Sequence, residues 1–298
     1  MSRFFWLVRR EIWEHKAIWV APLIVLGCLL LAMLTGNVHL GPIGSMDAAT
    51  PLGNLPQEKQ IKLLLVVYAG LALVVYIVMG IVAFFYALDS LYSDRRDRSV
   101  LFWKSLPLSD AETVLSKFAV AGGVIPMVAL LGALLAQLVV AGGGSTMLEM
   151  AGASGRIMWQ PDAIFGGAAV AAIWSVTAVV WYAPVIAYLM LASAWAPRGP
   201  FLWAVLPPVA VSVLELVLLR STHVEDFITG RLFGLYKLLG WRQQSGGDSP
   251  SEIRISDIDL SASLRDFYAS PELWLGLVAA ALMLAGAMWV RRYRDETA

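Results

Sequence analysis

Apolar residues along the chain form six long runs, separated by polar segments of unequal length. A helix needs about 20 apolar residues to cross the hydrocarbon core of a bilayer. We therefore predict six membrane-spanning helices, at residues 17–36, 62–88, 118–141, 165–191, 201–219 and 272–290. Residues 63–88 and 118–141 give the clearest signal, because they contain no charged side chain over 26 and 24 positions.

Residues 1–16 have the pattern of an amphipathic helix. Phe5, Val8, Ile12 and Trp13 recur at helical spacing, and most of the charged residues lie off that stripe. A basic amphipathic helix with tryptophan is typical of a helix that lies in the plane of the membrane interface. The alternative is a plain flank of the first span, whose long side chains reach the headgroups.

Two helix starts are marked in the sequence. Ser109 and Glu112 have the spacing of a capping box, which predicts that a helix begins near Asp110 and continues into the third span. Ser270 suits the N-cap of the sixth helix, and Pro271 suits its first turn.

The distribution of lysine and arginine predicts the topology. The N-terminal segment, residues 89–117, residues 192–200 and the tail 291–298 together hold 13 of these bases. The two short loops on the other side hold three, and cytoplasmic loops carry the excess of positive charge. Residues 220–271 hold six, but long loops follow this rule poorly. Both termini are therefore expected to be cytoplasmic.

Residues 220–271 form the long loop on the external side of this topology. Residues 224–241 are rich in aromatic and aliphatic side chains, which suits an interfacial or half-inserted helix. We predict a small external re-entrant cap before the sixth span, within a single transmembrane domain that comprises residues 1–298.

Composition narrows the class of protein. Apolar residues make up 59% of the chain and charged residues 15%, and the mean hydropathy is +0.70. These values are typical of an all-α polytopic membrane protein.

The net charge is zero, which gives no reason to expect nucleic-acid binding. The single cysteine, Cys28, excludes an intrachain disulfide, and the three histidines lack metal-ligand spacing, so no metal site is expected.

Motifs of catalysis are absent from the sequence. GxxxxGK[ST], G-x-S-x-G and HExxH do not occur, so the chain is not expected to be an enzyme by itself or to have catalytic residues. Glu215 is the exception among the spans, since an acid inside the membrane is a functional candidate. A structural role near the headgroups, paired with Arg220, is the alternative.

Aromatic residues in the fourth span form the second candidate site. Trp174, Trp181 and Tyr182 are predicted to line a path for an amphipathic cargo. Aromatic side chains that face lipid or pack inside the bundle are the more common case.

The segment 91–117 has mixed charge and more apolar surface than a solvated loop needs. It either forms an ordinary loop that obeys the positive-inside rule or docks a soluble partner, and its aromatic and arginine residues favour docking. The residues predicted to couple to the partner are Arg95, Arg96, Asp97, Arg98, Phe102, Trp103, Lys104, Leu106 and Pro107.

This segment resembles a motif of the ABC-2-type permeases, the membrane subunits of one class of ATP-driven transporter. The similar run is DRRDRSVLFWKSLPLSD, at residues 94–110, completed by Val114, Leu115, Ser116 and Lys117. The N-terminal amphipathic helix, the six spans and the long loop before the last span resemble the family over the whole chain.

The resemblance implies a machine of several chains. Two permeases, as a homodimer or with a related permease, would form the membrane core, and two separate ABC ATPase subunits would supply ATP and Mg²⁺. The segment between the second and third spans would be a cytoplasmic coupling helix seated in the ATPase. The usual direction in the family is export, and the location would be the bacterial cytoplasmic (inner) membrane.

The spans have few charges, which favours a hydrophobic or amphipathic cargo such as a lipid-like molecule or a peptide. Two other classes of function remain open on the residues alone. A secondary transporter would work without ATP, and a scaffold or immunity protein would bind a partner without transport.

Overall fold

The computed structural model describes residues 3–35, 55–96, 109–150, 152–235 and 260–294, with side chains in the last range from 264 to 293. Every regular element in these ranges is helical. The α-helices are α1 (Arg3–Glu14), α2 (Ala17–Leu34), α3 (Gln57–Arg96), α4 (Asp110–Ala119), α5 (Ile125–Met150), α6 (Pro161–Trp195), α7 (Pro200–Leu219), α8 (His223–Phe233), α9 (Leu260–Ala269) and α10 (Pro271–Arg294).

Two short irregular turns lie between these helices. A π-helical turn, Val120–Val124, joins α4 to α5, and a 3-10 turn, Gly155–Trp159, precedes α6. The π-turn ends two residues before Pro126, which lacks an N–H and whose ring disfavours regular α-helical bonding to the preceding turn.

Six of the helical stretches in the described ranges are long and apolar enough to cross a membrane: α2, α3, α4 with α5, α6, α7 and α10. Within the described residues this confirms the predicted all-helical fold with six helices able to span a membrane. Several helices are longer than their apolar runs, and the helix predicted at 62–88 extends over Gln57–Arg96. Hydrophobicity marks only the part of a helix that suits lipid, while backbone hydrogen bonds continue past it.

The predicted helix starts are confirmed. Ser109 Oγ accepts a hydrogen bond from the Glu112 N–H at 3.1 Å, and Glu112 Oε2 accepts one from the Ser109 N–H at 2.9 Å. The capping box therefore satisfies two N–H groups at the start of α4. The last span begins at Pro271, as its sequence indicates.

The chain divides into two compact units, each assembled from distant segments. The first unit comprises Met1–His15, Ala83–Val124 and Ala178–Ala298, and the second comprises Lys16–Val82 and Ile125–Thr177.

In the second unit, α2 packs against α5. Its core contains Leu64, Tyr68, Val140 and Met158, all buried. The Tyr68 hydroxyl donates to the Met158 carbonyl at 2.8 Å, which satisfies a buried polar group.

In the first unit, α4 packs against both α1 and α10, and α7 packs against α8. Most side chains of α7 are exposed, including Leu214, Leu216 and Val217. A helix that is apolar on all sides and exposed is stable in lipid rather than in water.

Substituting Gly167 with alanine is expected to lower the Tm of the protein in detergent micelles. A Cβ at this position would lie 3.0 Å from the Tyr68 Cβ and 3.1 Å from Gln137 Nε2, so these neighbours must shift to accommodate it. Overpacking of this kind costs about 1–3 kcal/mol. The matched control is Gly70→Ala, since a Cβ at Gly70 meets nothing within 4 Å. Equal Tm values for the two variants would contradict this packing.

Candidate functional site

Five charged side chains of the first unit form one continuous ion cluster, which comprises Glu11, Asp94, Asp110, Lys117 and Arg291. Lys117 Nζ lies 2.9 Å from Glu11 Oε1 and 3.4 Å from Asp94 Oδ1. Arg291 Nη1 lies 3.0 Å from Asp94 Oδ2, and its Nε lies 3.1 Å from Asp110 Oδ1. Asp94 therefore joins the lysine to the arginine.

Four helices contribute to the ion cluster. Glu11 lies on the same face of α1 as Leu7, and both are buried. Asp94 is in the last turn of α3, and Asp110 and Lys117 lie in the first and last turns of α4. Arg291 lies near the end of α10.

Four of the five side chains are almost fully buried. Lys117, Glu11, Arg291 and Asp94 are between 2% and 7% exposed, whereas Asp110 is 31% exposed. A buried charge is tolerated only when it is paired and hydrogen-bonded. Because removal of one partner from a buried pair costs about 3–5 kcal/mol, the cluster constrains all four helices at once.

The cluster is extended at its Glu11 end by two further side chains. The Tyr86 hydroxyl donates to Glu11 Oε2 at 3.0 Å, so both oxygens of this carboxylate are bonded. The His15 ring packs edge-on against Tyr86, with 4.7 Å between the ring centroids. The three carboxylates of the cluster face two cations, so its formal charge is −1 with His15 neutral.

Three residues of the ion cluster, Asp94, Asp110 and Lys117, lie within the segment 91–117 that is predicted to dock a partner. Asp94 precedes residues 97–108 by three positions, and Asp110 follows them by two. The helices on both sides of residues 97–108 are therefore bound to the same group of buried charges.

A second set of contacts fixes the end of α3. Arg95 Nη2 donates to the Ser193 carbonyl at 2.7 Å and to the Ala196 carbonyl at 2.9 Å. The Ser193 hydroxyl oxygen accepts from the N–H groups of Leu91 and Tyr92 at 3.1 and 3.0 Å. Arg95 thus binds carbonyls at the C-terminus of α6, where helical carbonyls lack intrahelical partners.

Two of the predicted coupling residues, Arg95 and Arg96, lie within the described ranges. Arg95 is engaged within the protein, and Arg96 lies exposed with its guanidinium carbon 6.0 Å from the centroid of the Tyr92 ring. The others lie outside the described residues: Asp97, Arg98, Phe102, Trp103, Lys104, Leu106 and Pro107.

Glu215 caps the N-terminus of α8. Its Oε1 accepts from the Ser221 hydroxyl at 2.7 Å and from the His223 N–H at 3.0 Å, and its Oε2 accepts from the Val224 N–H at 2.7 Å. Its partners are these groups and the His223 ring, rather than Arg220 as the sequence indicated. A carboxylate at a helix N-terminus satisfies N–H groups that have no intrahelical partner.

Trp181 and Tyr182 bind the other end of α8. Trp181 Nε1 donates to the Arg231 carbonyl at 2.9 Å, and the Tyr182 hydroxyl donates to the Leu232 carbonyl at 3.0 Å. The Arg231 guanidinium carbon also lies 4.2 Å from the centroid of the Trp181 ring. Burial lowers the pKa of Arg231 from its usual value, and the charge of Glu272 opposes that shift.

Trp174 belongs to the second unit. Its ring lies 6.5 Å from that of Tyr76, whose hydroxyl donates to the Ala171 carbonyl at 2.9 Å. The role of Trp174, Trp181 and Tyr182 in a cargo path stays a prediction.

Sequence reasoning noted the charges of the cluster but did not select them as a site. Lys117 and Arg291 each lie within one residue of a predicted span, and Glu11 shares the helical register of Leu7. Those positions indicate charges close to apolar surroundings. The pairings join residues up to 197 positions apart, and only the tertiary structure shows them. Within the described ranges, no group of three or more His, Cys, Asp and Glu side chains can hold a metal ion.

Substituting Lys117 with methionine is expected to destabilise the protein by about 3–5 kcal/mol, since Glu11 and Asp94 would be left buried without their cation. The measurement is thermal unfolding in detergent micelles. The double variant Glu11→Gln with Lys117→Met should lose less than the sum of the two single changes, because the residues interact directly.

Lys62→Met is the matched control for Lys117→Met. Lys62 pairs with Glu58 at 2.6 Å, but both side chains are exposed. An exposed helical pair contributes about 0.3–0.5 kcal/mol, so the Tm should hardly change. A similar Tm loss for the Lys62 and Lys117 variants would contradict the special role of the buried cluster.

Replacing Glu215 with alanine is expected to destabilise α8 by about 0.5–2 kcal/mol through loss of its N-terminal cap. Glu215→Gln retains one acceptor oxygen and should lose less. Hydrogen exchange of residues 223–226 is the measurement. Unchanged exchange rates in the alanine variant would show that this carboxylate does not hold the helix.

No protein-family model matches this chain, and no curated protein or solved structure matches it with significant similarity. The resemblance of residues 94–110 to the ABC-2-type permeases therefore rests on the sequence of that segment and on the pattern of spans.

Proposed function

We propose that this chain is the membrane subunit, or permease, of an ABC-2-type ATP-driven transporter in the bacterial cytoplasmic membrane. In this proposal, the segment 91–117 docks on a separate ABC ATPase subunit, and both termini are cytoplasmic. The chain acts as a homodimer or pairs with a related permease, and two ATPase subunits complete the machine.

The observation that carries the proposal is the position of ion-cluster residues near both ends of the segment 91–117. Asp94 lies just before residues 97–108, and Asp110 and Lys117 lie on the helix just after them. A segment that receives force from a partner needs ends that do not unravel under load. Buried ion pairs supply such ends, since breaking one leaves an uncompensated charge.

The same contacts define a route for movement through the first unit. A displacement of residues 97–108 would act on α3 and α4 together, because Asp94 and Lys117 are paired. Through Glu11 it would reach α1, and through Arg291 it would reach α10. Arg95 would pass it to the turn between α6 and α7 by its bonds to Ser193 and Ala196.

The partner ATPase supplies the chemistry of the proposed cycle. It would bind ATP and Mg²⁺, and closure of two ATPase subunits around ATP would move the docked segments. The residues of this chain hold the docking segment in place and take no part in the hydrolysis.

The proposed cargo is hydrophobic or amphipathic, such as a lipid-like molecule or a peptide, and the proposed direction is export. The apolar character of the spans supports this class of cargo. Glu215 belongs to the span helix α7, and its carboxylate accepts hydrogen bonds at the start of α8. In this proposal it has a structural role near the end of α7.

Changing Phe102, Trp103 and Leu106 together to alanine is expected to abolish docking of the ATPase while membrane insertion is retained. These residues are the apolar part of the segment, and aromatic anchors dominate the energy of protein interfaces. The measurement is purification from the native membrane in mild detergent, followed by mass spectrometry of the proteins that co-elute. The wild-type chain should bring down an ATPase with a P-loop in near-equal amount.

The matched control changes Phe227, Leu232 and Phe233 of α8 to alanine, which removes similar apolar area from exposed positions. This variant should retain the ATPase. Recovery of the ATPase with the first variant would overturn the docking assignment. Repeated recovery of the wild-type chain alone, without ATP hydrolysis, would overturn the transporter proposal.

A further inference from the structure

Helix α1 presents aromatic side chains outward, and its inner face buries Leu7 beside Glu11. Phe5, Trp6 and Trp13 are 46%, 53% and 69% exposed, whereas Glu11 is buried in the ion cluster. An amphipathic helix on a water-soluble domain has the opposite arrangement, with its apolar side against the protein and its charges in water. The outer face of α1 therefore needs an apolar environment outside the first unit.

The chain path places the end of α1 close to the start of the first candidate span. Helix α1 ends at Glu14, and the first candidate span begins at Ala17. Three residues extend over at most about 10 Å, so the end of α1 cannot lie far from the headgroups. Tryptophan is enriched at that depth, because its ring is amphipathic.

The charges of α1 add a preference for anionic lipid. Its two acids are engaged within the protein, Glu11 with Lys117 at 2.9 Å and Glu14 with Arg10 at 2.6 Å. Arg9 is exposed on the outer face, and its guanidinium carbon lies 5.2 Å from the centroid of the Trp6 ring. Among the described residues it makes no ion pair, so the outward charge of this face is positive.

We propose that the outer face of α1, formed by Phe5, Trp6, Arg9 and Trp13, binds an anionic lipid surface, and that this binding and the assembly of the ion cluster stabilise each other. The two faces of one short helix carry both interactions. When Glu11 is seated against Lys117, the aromatic side chains point away from the protein, toward lipid. Ligand binding that requires one arrangement of a helix stabilises that arrangement, and the effect is reciprocal. This proposal does not depend on the transport function.

The test is thermal unfolding of the full chain in detergent micelles supplemented with phosphatidylglycerol or with phosphatidylcholine. We expect phosphatidylglycerol to raise the Tm by about 2–4 °C more than phosphatidylcholine does. Arg9→Gln should lose this difference and keep the effect of phosphatidylcholine. A difference that persists in Arg9→Gln would overturn the lipid assignment.

Arg292→Gln is the matched control. Arg292 is also exposed, and its guanidinium carbon lies 5.6 Å from the centroid of the Tyr293 ring, but it belongs to α10. This variant should keep the full preference for phosphatidylglycerol. An equal loss in the two arginine variants would indicate a general effect of charge and would overturn the assignment to α1.

Cleavage by trypsin at Arg9 and Arg10 tests the link to the ion cluster. In the wild-type chain, phosphatidylglycerol should slow the cleavage several-fold, as judged by the mass of the N-terminal fragment. In Lys117→Met, with Glu11 no longer held, the protection should be largely lost at a temperature where the variant is folded. Full protection in that variant would overturn the reciprocal stabilisation.

A soluble partner or a second copy of the chain on this face would give results that differ from those expected for lipid. If a soluble partner covers it, changing Trp6 and Trp13 to serine removes that partner from the purified complex and leaves the preference for phosphatidylglycerol unchanged. If a second copy of the chain covers it, the same change lowers the oligomeric state in detergent and again spares the lipid effect. Either result would overturn the proposal.

Discussion

The first unit depends on a lysine that is buried almost completely. Lys117 is 2% exposed, and its amine is held by Glu11 and Asp94. An unpaired ammonium in this position would be strongly disfavoured, so α1, α3 and α4 must keep these carboxylates in reach. Arg291 extends the constraint to α10 through Asp94. The charges fix the relative positions of four helices more specifically than apolar contact does, because an ion pair depends on distance and direction.

This constraint holds the end of α3 and both ends of α4 to the same group of buried charges. Arg95, one of the predicted coupling residues, binds the carbonyls of Ser193 and Ala196 and so connects the end of α3 to the end of α6.

Three residues that the sequence offers as candidates for transport also hold one short helix. Glu215 satisfies N–H groups at the start of α8, and Trp181 and Tyr182 satisfy carbonyls at its end. None of the side chains of α8 is buried, so these end contacts carry much of its attachment. A polar atom near lipid is stable only with a partner, and helix ends are the main source of unpaired backbone groups.

The sequence alone determined the class of protein and the six candidate spans, because long apolar runs have a single stable environment. It also determined the start of α4, since the capping box of Ser109 and Glu112 acts within four residues. The ion cluster was decided only by the tertiary structure. Glu11, Lys117 and Arg291 each look like ordinary flanking charges, and their pairings join positions 106 and 197 residues apart. Which face of α1 turns inward was decided in the same way, since Glu11 finds its partner only when α4 is in place.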